Sequence, residues 1–76
     1  MSAYYDLWDV DSGNSLGTYE TEDEALAVVS VLLDANGDQY ADDLDLGLVD
    51  ETGSRRVATG AELARMAQKA SSRLAG

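Results

Sequence analysis

A strand, turn, strand and helix pattern occurs twice in these 76 residues, which limits the chain to folds where two hairpins and two helices share one core. Tyr4 to Asp11 is rich in aromatic and branched residues and ends in the turn signal Asp11-Ser12-Gly13-Asn14. Leu16 to Glu20 then reads as the returning strand. Thr21 with Glu24 forms a capping-box signature. Ala25, Val28, Val29, Leu32 and Leu33 recur at helical spacing until Asn36-Gly37 supplies a left-handed stop, predicting a helix over about 22–35. After a polar linker, Leu44, Leu46 and Leu48 alternate with Asp45 and Gly47, and 50–54 turns the chain into a strand from Arg56 to Thr59. Thr59 with Glu62 repeats the capping box, and Leu63, Met66, Ala67, Ala70 and Leu74 mark one face of a second helix over about 61–73.

Asp6-Leu7 matches Asp45-Leu46 at an offset of 39, and Thr21 and Glu24 match Thr59 and Glu62 at an offset of 38, so 4–37 and 44–75 are candidate half-repeats. The fold expected is a single α+β domain with two layers and the order ββαββα. Its four-stranded, mainly antiparallel sheet carries both helices on one face.

Composition narrows function by exclusion. The net charge of −10 opposes binding to nucleic acid or to anionic membranes, which requires Lys and Arg to displace counterions. With no Cys and no His, disulfides, thiolate or imidazole zinc sites and His-based catalysis are unavailable. No stretch approaches the ~20 apolar residues of a membrane span, and the acidic start is unlike a secretory signal, so a cytoplasmic location is expected. Charge is also uneven. Residues 1–54 hold 14 acids and no base, whereas 55–76 hold five bases and one acid. Glu22, Asp23 and Glu24 suit the positive start of the first helix, and Lys69 and Arg73 the negative end of the second. Arg55 and Arg56 are placed to meet Asp50 or Asp45 across the second hairpin.

Several patterns touch on metal chemistry. Asp34, Asn36, Asp38, Asp42 and Asp45 place oxygen ligands at positions 1, 3, 5, 9 and 12 of a loop similar to that of dockerin-type calcium modules. The glycine of position 6 is replaced by Gln39, and no helix pattern follows, which favours a helix stop and an acidic linker. A weaker match begins at Asp9, with Asp11, Ser15 and Glu20, and reads as a hairpin turn. Asp42 and Asp43 are the candidate pair for an enzyme working with carboxylates alone and magnesium, but neighbours in sequence seldom converge. Gly13 to Gly17 lacks the Lys and helix of a phosphate loop. No cofactor is expected.

The first strand has apolar groups on both faces, although a sheet covered by helices on one side needs only one. Aligning Leu7 with Leu46 turns Trp8, Val10 and Val49 outward with Tyr4, and aims Asp9 inward at the place of Leu48; the opposite register buries Trp8 and Val10. In either case an apolar patch is left for a second copy or a partner, and Tyr4, Trp8, Val10 and Val49 are the interface candidates.

The run Tyr-Tyr-Asp-Leu-Trp-Asp-Val-Asp-Ser-Gly-Asn, followed by Thr-Glu-Asp-Glu-Ala-Leu, resembles short stand-alone bacterial proteins of unknown function. A hairpin leading to an acidic cap and Glu-Ala-Leu also resembles the partial RNase-H-like domain of HicB-type antitoxins, which places three strands before its helix where this chain has two. The resemblance implies an interaction module and assigns no residue roles. The expectation is therefore a non-enzymatic acidic module, a homodimer that binds a basic protein, with toxin neutralisation and nucleic-acid mimicry as specific versions. Calcium binding at 34–45 is the alternative from another class, and an uncharacterised small structural domain is the third.

Overall fold

Alternation at Leu7 and at Leu44 and Leu46, and helical spacing at Ala25, Val29, Leu33, Leu63, Ala67 and Ala70, bring these side chains into a single core from which water is excluded. A computed structural model describes residues 3–75, with side chains through residue 72. The order is β1 (Tyr4–Asp9), β2 (Asn14–Tyr19), α1 (Glu22–Asn36), a short 3₁₀ helix (Asp38–Asp43), β3 (Leu44–Asp50), β4 (Gly53–Thr59) and α2 (Gly60–Ala75). The strands form one antiparallel sheet in the order β2-β1-β3-β4, in a slab 33 × 31 × 17 Å. α1 packs over β1 and β2, α2 over β3 and β4, and the helices pack on each other. This is the expected ββαββα arrangement of two layers.

The helix limits follow from local chemistry. Thr21 Oγ1 accepts from the Glu24 N–H at 3.1 Å, which is one half of the capping box. Gly37 closes α1 with φ 95°, a left-handed conformation that side chains with a Cβ resist, and its N–H reaches the Leu33 carbonyl at 2.7 Å. Leu26 adds a buried side chain that the helical spacing above does not include. The polar linker is ordered as the 3₁₀ helix, which tucks Ala41 into the core. At Thr59 the expected capping box is replaced: its hydroxyl donates to the Leu44 carbonyl, because β4 runs into α2 without the two-residue connection that precedes α1. The side chains of Arg73 and Leu74 lie outside the described residues.

β1 and β3 meet at the centre with Leu7 opposite Leu46, and both side chains are fully buried. Each hairpin then repeats the same pairing. Asp6 faces Thr18, Leu7 faces Gly17 and Trp8 faces Ser15, with Leu16 bulged out. Asp45 faces Thr59, Leu46 faces Ala58 and Gly47 faces Arg56, with Val57 bulged out. The halves thus share strand register as well as element order.

Candidate functional site

With Leu7 and Leu46 turned to the helices, strand alternation turns Tyr4, Asp6 and Trp8 of β1 and Asp45, Gly47 and Val49 of β3 to the other face. No described helix covers that face. Tyr4 and Trp8 are each 40% exposed, and Tyr4 stands opposite the half-buried Val49. Of the four interface candidates, Tyr4, Trp8 and Val49 therefore share the open face. Val10 does not belong to the strand: it lies in the β1–β2 turn, exposed, with its N–H bonded to the Asp43 carbonyl at 2.8 Å. Leu16, in the β2 bulge, and Val31, on the outer side of α1, are further exposed apolar side chains.

The open face holds two ordered carboxylates. Asp6 accepts from the Trp8 indole N–H and, at 3.0 Å, from the Ser15 hydroxyl. Asp45 pairs with Arg56, whose Nη2 lies 2.9 Å from one oxygen and whose Nε lies 3.1 Å from both. Asp6, Trp8, Asp45, Gly47, Val49, Ser54, Arg55 and Arg56 together line an open cleft of about 420 Å³. Its floor is Gly47, where a Cβ would lie 3.3 Å from the Arg55 carbonyl, so only a glycine sits there without displacing backbone. A wider depression of about 600 Å³ along α2 is bounded by side chains of that helix alone.

Asp9 follows the inward parity of Leu7 yet stays wet at the strand end. It accepts from the N–H groups of Asp11 (3.0 Å) and Ser12 (3.2 Å) and from the Tyr40 hydroxyl (3.0 Å). The Ser12 N–H, followed by the Tyr40 and Asp11 donors, holds its carboxyl below the usual range, and the bond to Asp9 raises the Tyr40 phenol. Asp50 is lowered by the Thr52 hydroxyl and N–H, at 2.6 and 2.8 Å, within the β3–β4 turn.

The calcium-loop residues are spread over different elements. Asp34 and Asn36 end α1, and the Asn36 amide donates to the Leu32 carbonyl. Asp38 and Asp42 lie in the 3₁₀ helix, and Asp45 is on the sheet with Arg56. Asp42 is exposed and Asp43 half-buried at the end of that turn. Among the described residues no group of three or more carboxylates is arranged to hold a metal ion, and no helix is long and apolar enough to cross a membrane.

Asp6, Ser15 and Gly47 are the site residues that sequence reading passed over. The Asp6-Leu7 match to Asp45-Leu46 was the available signal, since it places the two carboxylates at equivalent points of one face. No family model matches the chain, and no curated protein or solved structure matches it either.

Proposed function

We propose that this chain is a non-enzymatic protein-interaction module that presents its helix-free sheet face, within a strongly acidic surface, to a basic protein partner. The observation that carries this reading is the open face itself: the exposed Tyr4 and Trp8 lie there with the half-buried Val49, on a chain of net charge −10. Electrostatic attraction would speed the encounter, and the aromatic patch would supply the contact that persists. Neutralising a basic toxin is one form such binding would take.

A second copy of the chain is the competing candidate for this face. Strands of six or seven residues, four abreast, give a footprint of roughly 400 Å² at the usual strand spacing. A standard stable interface buries ~800 Å² of accessible surface per partner, so any occupant of this face, copy or partner, needs most of it. Two chains of −10 also repel, so self-association is expected to be weak at low salt and stronger when screened.

The test is affinity capture at about 50 mM salt, with each retained protein purified and remixed, and release followed as salt rises to about 0.5 M. Direct binding of a basic protein that weakens with salt supports the reading. Retention of no protein, or retention indifferent to salt, overturns it.

A further inference from the structure

We propose that the cleft bounded by Asp6, Trp8, Gly47 and Val49 receives one basic side chain, arginine or lysine, from that partner; this rests on the reading of a basic partner given above. The second half of the molecule supplies the template. Asp45 and Asp6 hold equivalent places in β3 and β1, and the residues facing Gly47 and Trp8 across the adjoining hairpins are Arg56 and Ser15. Arg56 gives Asp45 a bidentate cation, whereas Ser15 gives Asp6 only a hydroxyl. Asp6 is half-buried, and among the described residues no Lys or Arg lies in ion-pair range of it.

The surroundings of Asp6 suit a long cationic side chain. The Trp8 indole N–H is tied to Asp6, so the ring is fixed beside the carboxylate it would share with a guest. A cation close to an indole face gains from the ring quadrupole, and an aliphatic stem gains from Val49 and from the glycine floor that leaves it room. Of the two arginines of the cleft, Arg56 is paired with Asp45, and Arg55 also lines the β3–β4 turn, where its charge acts on Asp50.

The probe is a hexa-arginine peptide titrated into the whole chain at about 20 mM salt, read by the amide spectrum and the indole N–H signal of Trp8, the sole tryptophan. The expected result is saturable movement of that indole signal. Asp6→Asn and Trp8→Ala each lose about tenfold in affinity, while Asp34→Asn, which removes the same charge from α1, loses less than about threefold. Ser15→Arg installs the missing cation internally and is expected to lower peptide affinity about tenfold without lowering the thermal midpoint, so the result does not depend on a damaged fold.

Peptide binding that moves the acidic residues of α1 and leaves Trp8 still, with Asp6→Asn no worse than Asp34→Asn, overturns the cleft and keeps the basic-partner reading. Absence of binding at low salt overturns both. An indole signal that moves with protein concentration alone, alongside a doubled mass, gives the cleft to a second copy and also overturns the proposal.

Discussion

The two ββα halves pair their strands alike, through the same register and a bulge at the same point, yet they expose different chemistry on the open face. β1 contributes Tyr4, Asp6 and Trp8, and β3 contributes Asp45, Gly47 and Val49. The first half thus places a tryptophan where the second has a glycine, and a serine where the second has an arginine. Backbone pairing is satisfied equally in both, so these exchanges cost little in the ladder and act on the surface. The same scaffold is closed electrostatically on one side and left open on the other.

The sharpest break of this comparison is at its centre. Leu7 and Leu46 are equivalent, opposed and fully buried. Truncating either to alanine is expected to cost about 3 kcal/mol, a large part of the ~4–11 kcal/mol that a domain of this length holds. Urea unfolding followed by Trp8 fluorescence should give similar costs for Leu7→Ala and Leu46→Ala, and a double mutant short of their sum because the two touch. A cost under about 1 kcal/mol at one of them would show that the halves do not share the core equally.

Next come the two threonines. Thr21 accepts a hydrogen bond from the helix, and Thr59 donates one to the half of the sheet it belongs to. Replacing either by alanine should cost about 1 kcal/mol. Aspartate separates them, since a carboxylate accepts but does not donate at pH 7. Thr21→Asp should retain the stability of the parent, and Thr59→Asp should lose at least as much as Thr59→Ala. Equal losses in thermal unfolding would contradict the opposite roles.

A smaller contrast lies in the paired acids. The Arg56 side chain is 64% exposed and that of Asp45 21%, so this ion pair contributes no more than about 0.5 kcal/mol after screening. Asp45→Asn should destabilise by up to that amount, while Asp6→Asn should be neutral or stabilising by a few tenths, because it removes a negative charge lacking a cation. The parent itself should gain stability as salt rises to about 0.5 M, and the difference between the two variants should shrink over the same range. A flat response to salt would mean that the acids are compensated locally.

How much of this could be read from residues alone depended on distance along the chain. The Thr21 cap and the Asn36-Gly37 stop act within one helical turn, and the leucine alternation of 44–48 acts within one strand, so both helices and all four strands were legible. The burial of Leu26, the ordered turn over 38–43 and the bulges at Leu16 and Val57 depend on what packs against them. The open face was legible as a choice between two registers, and the opposition of Leu7 to Leu46, which is a contact across 39 residues, decides it. Asp6 and Gly47 gain meaning only once that opposition puts them side by side. The same distance explains Thr59, whose motif predicts a cap while the neighbouring strand claims its hydroxyl.

The smallest expected effect concerns Asp9, which stands in the first half where Leu48 stands in the second. An inward-parity carboxylate is tolerated there because the turn amides and the Tyr40 hydroxyl meet it at the strand end. The two partners are shifted in opposite directions, Asp9 down and Tyr40 up. A lowered acid contributes stability above its unfolded value, about 3.9, and loses it as pH falls through its folded value. A raised phenol contributes below its unfolded value, about 10, and loses it as pH climbs through its folded one. The difference in stability between the parent and Tyr40→Phe should therefore be level between about pH 5 and 9 and close at both extremes. An alkaline titration read at the phenolate band should show a late ionisation from Tyr40, and Tyr40→Phe should remove that late step. If the late step survives the substitution, Asp9 is held by the turn amides alone, and the first half tolerates its acid without help from the segment that joins it to the second.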